Sequence, residues 1–224
     1  MIKKQRLGLF GGTFNPVHLG HLKAAEEVYK KFVLNRILFI PSYIPPHKKT
    51  GEIASPDHRY TMTKLAVSSY PYFDVSSIEI KAKEKSYSII TLNKMKRIYP
   101  GTDIFFILGV DAFLEIDTWK DYKKVIENCF FIVISRPGYE IDKAKQILGN
   151  EYKEKIIDVS QGVELTKDII SDFSIFLYKF NALDISSTEI RKRIRKKLSI
   201  KKLVPENVEQ YIIDNNIFIN EEND

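Results

Sequence analysis

Cysteine is nearly missing from this chain: Cys129 is the single thiol in 224 residues. One thiol excludes an intrachain disulfide and a multi-cysteine zinc site. Within Cys129-Phe130-Phe131-Ile132-Val133-Ile134 it reads as a buried core residue. Long apolar runs are missing too, and none approaches the roughly 18 residues needed to span a bilayer. The basic opening Met1–Arg6 leads into Leu7–Phe10, but that run stops after four residues at a glycine pair, too short for a secretory signal. The expectation is therefore a cytoplasmic chain with no membrane partner. Repeats and low-complexity linkers are lacking, so residues 1–224 read as a single domain with a helical C-terminal portion from about 185. Histidine and tryptophan are scarce, at four and one. Charge is not: 35 Lys and Arg against 29 Asp and Glu leave +6. That balance suits an anionic small molecule or a nucleic acid without choosing between them.

What is present is an alternation of strand-like and helix-like patterns. Leu7–Phe10, Arg36–Ile40, Ile104–Leu108 and Cys129–Ser135 are apolar runs of strand length. Between them, Leu19–Phe32 places Leu22, Ala25, Val28, Tyr29 and Phe32 at helical spacing. Asp57–Ser69 and Ser88–Tyr99 read as helices, the second stopped by Pro100-Gly101. Phe73–Ile80 reads as extended, and Asp111–Glu127 as one or two short helices. Ile156–Val159 and Ser174–Tyr178 are candidate strands; Ser187–Leu198 and Glu206–Asn215 are candidate helices. The order predicts an α/β fold, a doubly wound parallel sheet with C-terminal helices. In such sheets ligands bind beyond the carboxyl ends of the strands.

Gly11-Gly12-Thr13-Phe14-Asn15-Pro16-Val17-His18-Leu19-Gly20-His21 sits at such an end. Glycines let the backbone approach an anion, and the N–H groups of a helix start point at it. His18 and His21 are three residues apart, so they share one helix face. They lack the further ligands that zinc requires. Asp184-Ile185-Ser186-Ser187-Thr188-Glu189-Ile190-Arg191 contains a capping box, Ser186 with Glu189. Ser187, Thr188 and the first-turn N–H groups could also hold a phosphate that Arg191 reaches. Gly109-Val110-Asp111 ends a buried strand; on the local pattern, Asp111 as a ribose ligand and as a helix N-cap stand about even. Trp119 is either a core anchor or a platform for a flat heterocycle. Pro45-Pro46-His47-Lys48-Lys49 is a rigid, then basic, loop, read either as a solvated charge run or as a lid that brings Lys48 to a phosphate tail. Eight of the twelve residues of Arg191–Lys202 are basic. Ile190, Ile194 and Leu198 recur every four residues, so one stripe of that helix is expected to pack on the core. No aromatic residue interleaves the run, which weakens an RNA-binding reading.

Taken together, these residues resemble the bacterial nicotinate-nucleotide adenylyltransferase family of the nucleotidyltransferase superfamily. The glycine–histidine block and Ile-Ser-Ser-Thr-x-Ile-Arg are shared across that superfamily. Pro45-Pro46-His47-Lys48, Ser86-Tyr87-Ser88, Leu108-Gly109-Val110-Asp111, Thr118-Trp119 and Ser135-Arg136-Pro137-Gly138 follow in the order specific to the family. The resemblance implies a Rossmann-like fold and the reaction of ATP with nicotinate mononucleotide to give deamido-NAD and pyrophosphate. It implies Mg²⁺ carried mainly by the ATP phosphates, with no protein metal ligand, and it is compatible with a homo-oligomer. It assigns Gly11, Gly12, Thr13, Phe14, His18, His21, Gly109, Asp111, Ser187, Thr188 and Arg191 to ATP, with His18 and His21 at the reacting phosphates. His47, Lys48, Ser88, Trp119 and Arg136 fall to the nicotinate nucleotide. Three positions depart from the family's usual residues. Asn15 stands where aspartate is commoner, Ser88 where threonine is frequent, and Lys120 where tyrosine often follows the tryptophan. The alternatives are a related enzyme acting on nicotinamide mononucleotide or phosphopantetheine and, from another class, a basic RNA-binding module.

Overall fold

A computed structural model describes residues 4–45, 53–172 and 174–219. Strand and helix alternate as the apolar pattern requires: β1 (Arg6–Gly12), α1 (Leu19–Lys31), β2 (Arg36–Pro41), α2 (Pro56–Val67), β3 (Phe73–Val75), α3 (Ile78–Ala82), α4 (Ser88–Ile98) and β4 (Asp103–Gly109). There follow α5 (Val110–Phe113), a 3₁₀ turn at Ile116–Thr118, α6 (Tyr122–Asn128), β5 (Phe130–Ile134), α7 (Ala144–Ile147), α8 (Asn150–Lys153), β6 (Ile156–Asp158), α9 (Lys167–Asp172), β7 (Ile175–Tyr178), α10 (Ser187–Arg195) and α11 (Glu206–Asp214). The strands form one sheet in the order β3-β2-β1-β4-β5-β7-β6. β4 runs parallel to β1, with Leu9 opposite Phe106, and parallel to β5, with Ile107 opposite Ile132. β7 is parallel to both β5 and β6. Ile104 to Leu108 are all buried, as a strand covered on both faces demands. This is the α/β fold that the alternation predicts. Among the described residues no helix is long and apolar enough to cross a membrane.

The described residues fall into two compact units. The first draws on the described residues within 1–11, 24–38 and 87–182. Its core is aromatic: Phe105 stacks on Phe130 at 4.8 Å, and Phe32 meets Phe176 edge-on at 5.5 Å. The second draws on the described residues within 12–23, 39–86 and 183–224. There α2 packs on α11, with the Asn207 side-chain amide donating to Leu65 O at 2.8 Å and His58 Nδ1 lying 3.0 Å from the Tyr211 hydroxyl. Ser55 caps α2, its hydroxyl accepting from His58 N at 3.2 Å.

Several expectations are corrected. Phe73–Ile80 is not extended throughout: the strand ends at Val75 and Ile78–Ala82 turns into a short helix. α10 stops at Arg195, and Lys197 takes a left-handed conformation with φ 53°. The apolar stripe is accordingly cut short: Ile190 is fully buried, but Leu198, beyond the helix, is 51% exposed. Cys129 is half-buried rather than fully enclosed. Its thiol donates to Val125 O at 3.3 Å, and desolvation pushes the thiol pKa well up, away from the reactive thiolate.

Candidate active site

In the second unit, the glycine–histidine turn and the start of α10 come together. β1 leaves the sheet at Gly12, whose carbonyl accepts from Ser42 N at 2.9 Å. Phe14 follows in the left-handed region, with φ 48°, and the Asn15–Pro16 peptide is cis. The chain enters α1 just after His18, which is 3% exposed. The His18 and His21 rings lie 3.7 Å apart at 32°. His18 N donates to His21 Nδ1 at 3.2 Å. An accepting Nδ1 is unprotonated, so the neutral His21 ring carries its proton on Nε2 and offers a donor there. The Phe14 and His21 rings meet in a T-shaped arrangement, with centroids 5.2 Å apart and planes at 77°. Gly20 makes room for this pair: a Cβ there would lie 3.0 Å from His18 Nδ1.

α10 closes on the same turn. Ser186 is its N-cap, with the hydroxyl accepting from Glu189 N at 3.1 Å. The Ser187 hydroxyl donates to Pro16 O at 2.9 Å. Arg191 NH1 donates to Asn15 O at 2.9 Å, and its NH2 lies 3.4 Å from Thr188 Oγ1. Leu19 N, at the start of α1, donates to Leu203 O at 2.9 Å. Two helix starts separated by most of the chain thus share one cluster, as the sequence reading requires. The macrodipole makes each helix start favourable to negative charge, and Arg191 adds a full cation.

Asn15 has a local explanation. Its side-chain Oδ1 accepts from Ala54 N at 3.0 Å, so a neutral amide does the work a carboxylate could also do. Two residues here escaped the sequence reading. Arg59, fully buried in α2, donates to Ala54 O, Thr13 O and Tyr43 O at 2.9, 2.9 and 3.0 Å. Burial pushes its guanidinium down to about 10, while Glu79 opposes that shift, so it stays charged at neutral pH. Its signal was its position: Arg59 shares the helical face of Met62, Thr63 and Ala66, all buried. The second is Ser42, whose buried hydroxyl has no hydrogen-bond partner among the described residues.

In the first unit, β4 delivers Gly109 and Asp111 together. Asp111 Oδ2 accepts from Arg136 NH1, which arrives from the end of β5. Among the described residues, buried Asp111 Oδ1 has no hydrogen-bond partner. A Cβ on residue 109 would collide with that oxygen, so the glycine is what lets the carboxylate lie there. The structure therefore groups Arg136 with Asp111. Trp119 is half-buried, its ring edge-on to Phe106 at 6.0 Å, and is not a fully enclosed core anchor. Ser88 opens α4 after Tyr87, which provides no side-chain cap. Lys120 Nζ lies 4.9 Å over the Tyr87 ring. His47 and Lys48 lie outside the described residues. Among the described residues no three His, Cys, Asp or Glu side chains gather as a metal cage.

A parallel sheet, a glycine turn feeding one helix start and a second helix start drawn onto it define a nucleotide-handling α/β protein. The sequence model of the family described as Cytidylyltransferase-like matches residues 9–193. The chain is 40% identical over 213 residues to a Geotalea daltonii protein described as "Probable nicotinate-nucleotide adenylyltransferase", covering 95% of this chain and 98% of that one. It is 41% identical to a protein of the same description from Thermoanaerobacter sp., covering 95% and 93%. The fold matches that of the Plasmodium falciparum nicotinic acid mononucleotide adenylyltransferase solved with NaAD, at a TM-score of 0.71 and 19% identity over 96% and 97% of the two chains. The chain belongs to the nicotinate-nucleotide adenylyltransferase family of the nucleotidyltransferase superfamily.

Proposed function

We infer that this chain transfers AMP from ATP to nicotinate mononucleotide, forming deamido-NAD and releasing pyrophosphate. The observation that carries this reading is the pair of tethers from α10 to the histidine turn, Ser187 to Pro16 and Arg191 to Asn15. They gather donors from two helix starts into one anion-binding cluster.

The acceptor's phosphate oxygen attacks the α-phosphorus in line. The bond from that phosphorus to the bridging oxygen breaks, and pyrophosphate leaves. The attacking phosphate is already ionised, so no protein nucleophile is required, and catalysis reduces to alignment and charge stabilisation. His21 offers its Nε2 proton to the α-phosphate oxygens as charge builds there. His18, Ser187, Thr188 and Arg191 serve the adjoining phosphates, and the backbone of Gly11, Gly12, Thr13 and Phe14 lets them approach. Gly109 and Asp111 are assigned to adenosine, with Asp111 Oδ1 as the acceptor for a ribose hydroxyl and Arg136 holding the other oxygen. Trp119 is assigned to the pyridine ring and Ser88 to its carboxylate. Lys120 adds positive charge beside Tyr87, which favours an acid over an amide. Mg²⁺ enters as part of the substrate MgATP: the ion prefers phosphate oxygens and water, and the described residues supply no cage of their own.

Incubation with ATP and equal nicotinate and nicotinamide mononucleotides, followed by product separation, tests the assignment. Deamido-NAD as the main product is expected. NAD in excess, or no dinucleotide, contradicts it.

A further inference from the structure

The three hydrogen bonds of Arg59 are unusual in where they go. A fully buried cation pays heavily for desolvation unless its donors are met. Here they are met by three main-chain carbonyls: Ala54 just before its own helix, Tyr43 after β2, and Thr13 within the glycine turn. An apolar side chain could fill the same volume without that penalty. It could not fix three carbonyls.

The Thr13 bond has a direct consequence for the histidines. In a planar trans peptide the C=O and the following N–H point in opposite directions. Drawing Thr13 O towards the guanidinium therefore turns the Phe14 N–H away from it. Phe14 itself sits at φ 48°, a conformation unfavourable for a bulky residue unless its surroundings hold it. Its ring, 3% exposed, packs against both His21 at 5.2 Å and Phe39 at 5.6 Å. The path runs from Arg59 to Thr13 O, to the Phe14 backbone, to the Phe14 ring, to the His21 imidazole.

We propose that Arg59 is a positioning residue for the reaction: by fixing the Thr13 carbonyl it sets the Phe14 conformation that holds His21 in its reactive orientation. The proposal rests on the assignment of His21 to the phosphates. Arg59→Lys keeps the charge and the stem but cannot form the three-way fork. It is expected to fold, to lower kcat by about 10²-fold as a misplaced catalytic group does, and to leave KM for nicotinate mononucleotide within about twofold by the same argument. Arg59→Ala with added methylguanidine should regain part of the lost kcat.

The His21 imidazole NMR signals provide a reading independent of turnover, and should shift in Arg59→Lys. If the wild type forms no deamido-NAD, the functional assignment fails and these signals alone decide the role of Arg59. A folded Arg59→Lys with wild-type kcat, unchanged His21 signals, or methylguanidine raising the melting temperature without raising kcat overturns the proposal. So does failure of both variants to fold, which makes Arg59 a framework residue only.

Discussion

The two halves of the candidate machinery are built on different principles. The candidate phosphate cluster of the second unit is held by side chains gripping main-chain carbonyls: Arg59 on Thr13, Arg191 on Asn15, Ser187 on Pro16. Its histidines have little freedom, with His18 almost enclosed and the rings in contact. The base-binding candidates of the first unit are held by side chains alone, and loosely. Arg136 is 44% exposed while paired to Asp111, Trp119 is half-buried, and Lys120 is an exposed residue resting on Tyr87. The contrast fits the chemistry. Charge that develops at phosphorus is stabilised best by donors fixed beforehand. A base and a pyridine ring must enter and leave, and half-exposed side chains that can adjust suit that better.

Substitutions can break this contrast, and the largest effect is expected in the rigid cluster. His21→Ala should lower kcat by about 10²–10³, the loss seen when a transition-state donor is removed, with KM for the acceptor little changed, in a pyrophosphate-release assay. In the looser cluster the effect should be smaller and fall on binding. Gly109→Ala displaces Asp111 and should raise KM for ATP by about tenfold, the equivalent of one lost hydrogen bond, with kcat nearly intact. Ser187→Ala removes the tether to Pro16 and should lower folding stability by about 1 kcal/mol in urea unfolding, with a loss in kcat/KM for ATP smaller than that of His21→Ala.

The smallest effect serves as a control away from both clusters. Lys179 and Lys145 hold the Asp142 carboxyl below its usual range of 3.8. A lowered carboxylate stabilises the fold above its unfolded pKa and ceases to do so as the pH falls through the folded value. Asp142→Asn should therefore lower the melting temperature near pH 7 by less than about 2 °C, because the pair is solvent-exposed. The difference should fade below pH 4 as wild type and variant converge.

Much of this was legible in the residues. The strand-turn-helix order of Leu7–His21 was legible because both flanks are long enough to show their periods. Ser186 with Glu189 marks the start of α10 by capping chemistry alone. That α10 reaches back to Asn15 and Pro16 was expected only through the idea of a shared anion; local pattern says nothing about contacts over such separations. Arg59 was missed for that reason: its three acceptors are backbone carbonyls, which no side-chain motif reveals. α7 and α8 were missed because four residues cannot display a 3.6-residue period. The stripe read through Ile194 to Leu198 failed because the helix ended first, where Lys197 turned left-handed.

Tripolyphosphate binding, followed by calorimetry, isolates the cluster from the base-binding residues. The wild type should bind it in competition with ATP, and His21→Ala and Arg191→Ala should each weaken that binding, because one anion touches both helix starts. Unaltered affinity in either folded variant would contradict a shared polyphosphate site.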